Sequence, residues 1–142
     1  MYRHILIPTD GSQPAERGLA HGLALAKSLG AKVSVIFVVE PFSEMTGRFL
    51  EAVATYAELR KEQAASVLDR AANAAREAGL SCETIQMESA QPHEAIIAAA
   101  RDKGCDLIVM SSHGRSGLSA LLIGSVTNKV LTHAKTPVLV CQ

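Results

Sequence analysis

Between Asp106 and Val130 the chain sets out small polar residues in a pattern that suits a phosphate. Leu107, Ile108, Val109 and Met110 form an unbroken apolar run, short enough for a strand buried on both faces. A small, glycine-bearing polar loop follows: Ser111, Ser112, His113, Gly114, Arg115, Ser116, Gly117. Further on, Gly124, Ser125 and Thr127 stand just ahead of a helical pattern that ends near His133. A buried strand opening into such a loop and then a helix N-terminus presents backbone N–H groups to an anion. Gly114 and Gly124 carry no Cβ, so ligand oxygens can come close to the backbone there. Ser125 and Thr127 add hydroxyl donors and Arg115 adds a charge. The chemistry is that of a nucleotide phosphate site. The bland alternative is that these glycines only serve tight turns. No P-loop GxxxxGK[ST] decides between the two.

The composition narrows the ligand classes. Lys plus Arg equals Asp plus Glu, 14 of each, so no basic field exists to draw the chain onto nucleic acid or anionic lipid. Aromatic residues make up 4% with no Trp, too few for a base-stacking platform. No apolar run has the length of a membrane span, and MYRHILIPTD lacks the shape of a signal peptide. Cys82, Cys105 and Cys141 are odd in number and lack CxxC spacing, which argues for reduced thiols rather than disulfides or zinc. The histidines at 4, 21, 93, 113 and 133 show no metal-ligand spacing. Four of them read as surface or cap residues, and only His113 stands apart, by its loop.

Elements that could hold this loop in place are legible along the chain. Residues 4–9 predict a first strand, and Asp10 or Ser12 can cap the helix after it. Pro14 fits that helix's first turn, Leu19, Leu23, Leu25, Ala26 and Leu29 supply its apolar positions, and Gly30 stops it. Residues 32–39 predict a second strand, and Pro41 to Gly47 a loop. From about Arg48, apolar residues three or four apart predict a helix that ends at Gly79 and bends or breaks near its start. Residues 81–89 are the most polar strand, suited to an edge. A helix from Gln91 to Lys103 and Gly104 follows, then the central stretch, a helix over Ser125–His133, and a last strand VLVC after Pro137.

Strands and helices therefore alternate, as in a single α/β domain over 1–142: an open five-stranded parallel sheet, helices on both faces. The most apolar strands, the first and fourth, belong in the middle, which gives the order 3-2-1-4-5. In that order the crevice between the ends of strands one and four is the topological switch point where such sheets bind ligands. The loops meeting there are Pro8, Thr9, Asp10, Gly11, Ser12 and Met110 to Gly117. The phosphate-like loop falls where topology independently places a ligand.

The chain resembles the universal stress proteins over nearly its whole length: the opening HILIPTDGS, the long second helix and the ending GSVTNKVLTHAKTPVLV. Nucleotide-binding members of that family carry Gly, two residues, Gly, nine residues, Gly, then Ser or Thr. Gly114, Gly124 and Ser125 match, while Ser111 stands in place of the first glycine, where its Cβ restricts positive φ. Members that do not bind ATP lack most of this loop, which the chain keeps. The resemblance implies a Rossmann-like (adenine nucleotide alpha hydrolase-like) fold and an ATP site. In that site Pro8, Thr9 and Asp10 line base and ribose, with Asp10 accepting from a ribose hydroxyl or helping to place a metal. The Val38 backbone meets the adenine edge and Met110 packs near base and ribose. Ser111, His113, Gly114, Arg115, Gly124, Ser125 and Val126 wrap the phosphates, with Thr127 at their margin. Mg²⁺ is the usual companion of a triphosphate and needs few protein ligands.

The resemblance further implies a cytoplasmic stress-signalling module that pairs as a homodimer through its last strand, TPVLVCQ, whose free edge needs cover. Competing readings are a nucleotide-free dimeric scaffold and a slow ATPase, for which Asp10 and His113 are the only candidate bases. A response-regulator receiver is rejected, because the third strand ends in Met87 and Glu88 rather than a phospho-accepting Asp. A flavodoxin-like flavin site lacks its aromatic residues.

Overall fold

The computed structural model describes residues 1–41, 50–114 and 122–142. The predicted loop after Pro41, the predicted start at Arg48, and Arg115, Ser116 and Gly117 lie outside them. The described elements alternate as β1 (His4–Pro8), α1 (Gln13–Leu29), β2 (Lys32–Val39), α2 (Leu50–Glu77), β3 (Cys82–Glu88), α3 (Pro92–Asp102), β4 (Leu107–Ser111), α4 (Ser125–His133) and β5 (Val138–Cys141). The strands form one five-stranded sheet in the order β3-β2-β1-β4-β5, every pair parallel.

Strand alternation divides the core in two. Ile5, Ile7, Val33, Val35 and Phe37 point toward α1 and α2, where they meet Leu19, Leu23, Val67 and Leu68. Leu6, Ile36, Ile108 and Met110 point the other way, onto Ile96 and Ala99 of α3 and Val130 of α4. β1 is buried from His4 to Ile7 because both its faces and both its edges are covered. Among the described residues β3 pairs only with β2, and it is half-buried at best, as its polar sequence predicts.

Ser12, not Asp10, caps α1: its Oγ accepts from the Ala15 amide at 3.3 Å. Gly30 ends the helix at φ 68°, donating to the Ala26 carbonyl. Leu19, Leu23 and Ala26 are buried as expected, but Leu29 is exposed and Leu25 only half-buried. The closest approach comes instead from Gly18 and Gly22. A Cβ on Gly22 would lie 2.5 Å from Ile7 Cδ1, and one on Gly18 would lie 3.1 Å from the Ser111 amide. This pair of glycines, one turn apart, lets α1 lie directly on β1 and β4.

α2 is one continuous helix of 28 residues from Leu50. It is anchored by Ala64, Val67, Leu68, Ala71 and Ala75, spaced three or four apart. At 1.5 Å per residue it is about 42 Å long, well beyond the roughly 26 Å of an eight-residue strand. Its anchors all lie in the second half, and Ala54 to Leu59 are exposed or half-buried. The Arg60 guanidinium marks the change, 5.7 Å from the centre of the Phe37 ring.

His4 departs from its expected surface position. It is 6% exposed, with Nε2 2.7 Å from the Oγ of fully buried Ser34. It begins the central strand, so neighbours close over it. Asp106 secures that end of the sheet, accepting from the backbone amides of Arg3 (2.9 Å) and His4 (3.0 Å).

Candidate functional site

At the carboxyl ends of β2, β1 and β4 the chain leaves the sheet in different directions, and a cleft opens between them. β1 runs on into Thr9, whose amide donates to Ile36 at 2.9 Å and keeps the strand straight to the rim. The side chains then fold the turn. Thr9 Oγ1 accepts from the Gly11 amide at 3.2 Å, and Asp10 Oδ1 accepts from the Ser12 amide at 2.9 Å. Gly11 sits at φ 79°, where a side chain would also strike Val67. One carboxylate oxygen of Asp10 thus holds its own loop, while Oδ2 faces across the cleft to Gly114. A Cβ on Gly114 would lie 2.6 Å from that oxygen.

The opposite wall is a loop laced to the start of α4. Ser111 Oγ donates to the His113 carbonyl at 2.5 Å, and Ser112 Oγ is 2.9 Å from His113 Nδ1. The Gly124 amide donates to the Ser112 carbonyl at 2.6 Å, and Thr127 Oγ1 to the Ser111 carbonyl at 2.8 Å. Residues 111–114 and 124–127 are therefore one unit. Gly124 is the N-cap of α4, makes no side-chain cap bond, and begins a helix with no acidic residue in its first turn. The first turns of α1 and α3 each carry a glutamate, Glu16 and Glu94. The positive end of α4 is left uncomplemented by its own sequence.

Pro8, Thr9, Asp10, Val38, Met110, Ser111, His113, Gly114, Val126 and Thr127 all border this one cleft. Gly124, which is buried, and Ser125, which is exposed, begin α4 and are not among the residues that border the cleft. Arg115 lies outside the described residues. The glycines do not serve the left-handed turns of the bland alternative. Gly114 and Gly124 are not at positive φ; space is what they provide, against Asp10 and against the Ser112 carbonyl 3.2 Å from a Cβ on Gly124. Ser111 ends β4 with no positive φ, so serine costs the backbone nothing there.

The sequence reading passed over Ile36, Glu40, Pro92 and Ile96, which also border the cleft. Period-two alternation was the available signal: Ile36, Val38 and Glu40 fall on one face of β2 and its extension. The fold also brings two histidines together that their spacing kept apart, the His93 and His133 rings lying 5.7 Å between centroids. Among the described residues no group of three or more His, Cys, Asp or Glu could hold a metal ion. No helix among them is long and apolar enough to cross a membrane.

Comparison with known proteins agrees with this architecture. The chain is 36% identical to the universal stress protein MJ0531 of Methanocaldococcus jannaschii over 145 residues, covering all of this chain and 83% of that one. The solved structure of MJ0577 superposes with a TM-score of 0.83 at 31% identity, over 99% of this chain and 95% of the other. Two further solved structures share the fold. One is a universal stress protein in complex with cAMP (TM-score 0.74, 24% identity, 99% and 97% covered). The other, from Archaeoglobus fulgidus, is in complex with dAMP (TM-score 0.72, 24% identity, 99% and 98% covered). The description of the universal stress protein family itself matches residues 1–142, and with that match and these relatives the chain belongs to the universal stress protein family.

Proposed function

We propose that this chain belongs to the nucleotide-binding members of its family and holds an adenine nucleotide, ATP in the cell, across the cleft between β1 and β4. The observation that carries the reading is the wall opposite Asp10. There a loop that the absent Cβ of Gly114 lets lie close to Asp10 is bonded to the acid-free N-terminus of α4. The cAMP and dAMP complexes of fold neighbours support the same ligand class. Thr9 and Asp10 serve the ribose, and the Val38 backbone and Met110 serve the base. Ser111, His113 and Gly114, with the first-turn amides of Ser125, Val126 and Thr127, surround the phosphates. Arg115 is the cation that the sequence supplies to the same loop. Gly124 acts through the loop, since its amide is spent on Ser112.

Asp10 would help to hold the Mg²⁺ of a bound triphosphate, which would neutralise part of the phosphate charge. The protein works as a cytoplasmic stress-signalling module, paired as a homodimer along β5. Among the described residues that strand is bonded on one side only, to β4, and Leu139 on it is 37% exposed.

A nucleotide-free dimeric scaffold is the competing reading. It is favoured by the Ser111 hydroxyl and the Gly124 amide being satisfied within the loop. Mass spectrometry of nucleotide released from the purified protein, with calorimetric ATP titration with and without Mg²⁺, separates the two. Recovered adenine nucleotide, or saturable heat abolished by Gly124→Val with Ser125→Ala, supports the site. No nucleotide and no heat leaves the scaffold.

A further inference from the structure

The cleft is polar at one end and apolar at the other. Ser111, His113, Gly114 and Thr127 make the β4 and α4 end, whereas Ile36, Val38, Pro92 and Ile96 make the β2 and α3 end. The two ends are two strand spacings apart, about 10 Å, which is the reach of a nucleoside monophosphate from phosphate to base. With phosphate at the polar end, the base lies between β2 and α3. Among the described residues Glu40 is the only ionisable one bordering that end. It continues the face of Ile36 and Val38 one residue beyond the end of β2, and the intervening Phe37 and Val39 point into the other core. No ion pair among the described residues uses it, and Glu88, beside Val39 on β3, does not border the cleft.

We propose that Glu40 reads the nucleobase, its carboxylate accepting a hydrogen bond from the 6-amino group of adenine and so selecting 6-amino over 6-oxo purines. This rests on the nucleotide reading above. A carboxylate only accepts. Adenine offers it an N–H donor at position 6, and hypoxanthine offers a carbonyl oxygen that it repels. With the base edge held at the Val38 backbone, a hypoxanthine ring can bring its N1–H to the carboxylate only by giving up that contact. Glu40 is a specificity residue, standing apart from the phosphate-binding loop.

The test is calorimetric titration of AMP and inosine monophosphate into the wild-type protein, Glu40→Gln and Glu40→Ala, each checked by thermal melting. The wild type prefers AMP by about tenfold or more, the scale of one hydrogen bond to a charged acceptor. Glu40→Ala brings the ratio near one through loss of AMP affinity. Glu40→Gln, whose amide both accepts and donates, also lowers the ratio but keeps AMP binding and gains inosine monophosphate. A ratio unchanged in both variants overturns the assignment to Glu40 while leaving the nucleotide site standing, and so does a wild type that binds guanosine monophosphate as tightly as AMP. A wild type that binds none of these overturns the site and, with it, this inference.

Discussion

The two ends of the sheet use polar residues in opposite ways. At the amino end, His4 and Ser34 meet in a sealed interior, and Asp106 bonds the first backbone amides of β1. At the carboxyl end, Thr9, Asp10, Ser111 and His113 are also bonded, largely to their own loops, yet they border an open cleft. Hydrogen bonding alone does not separate structure from function here. Access does, together with the helix termini aimed at each end. In a parallel sheet every strand delivers its chain to the carboxyl end, where the following helix begins, so helix N-termini collect there, and that of α4 carries no acid in its first turn. The amino end receives helix carbonyls and closes.

The largest expected effect breaks the carboxyl end alone. Gly114→Val puts a branched side chain where a Cβ alone would lie 2.6 Å from Asp10 Oδ2, and Asp10 is held by the Ser12 amide. Overpacking of this kind costs about 1–3 kcal/mol, and here it falls on the ligand-bearing conformation. Calorimetry should find nucleotide affinity reduced tenfold or more, with the amino end unaffected. Ser34→Ala breaks the other end. It leaves the buried His4 Nε2 without its partner, and chemical denaturation should show about 1–3 kcal/mol of lost stability with nucleotide affinity unchanged.

A smaller effect follows from pH. Burial first, then the nearby Lys32 charge, hold the His4 pKa below its ordinary value of 6.5. As pH falls through 6.5 the unfolded chain takes up a proton that the folded chain refuses, so stability declines toward acid. Melting temperatures between pH 7.5 and 5 should fall, and His4→Gln should flatten the slope. The smallest effect is at the surface. The Lys103–Glu83 ion pair near the amino end is exposed on both sides, and Lys103→Ala should leave the melting temperature unchanged.

Much of this was written in local sequence. β2, α4 and β5 run as read, because an apolar strand bounded by glycine or proline and a periodic helix need no tertiary information. The sheet order followed from relative polarity. What escaped depends on who sits opposite. Gly18 and Gly22 look like helix-weakening residues until Ile7 and Ser111 are placed beneath them. His4 reads as a polar strand end until Ser34 is brought against it from β2. Glu40 looks like a loop acid until the alternation of β2 is continued past its last paired residue. At Gly114 the expectation of a close approach allowed by the missing Cβ stands, but the group that a Cβ would meet is the Asp10 carboxylate, which only the fold brings there.

The most direct test of the nucleotide site follows backbone amide chemical shifts as AMP is titrated into the labelled protein. Saturable shifts at Thr9, Asp10, Val38, Gly114 and Val126, with His4, Ser34 and Cys105 unmoved, are the expected result. Shifts centred on His4 and Ser34, or none at any AMP concentration, would contradict a nucleotide site at the carboxyl end of the sheet.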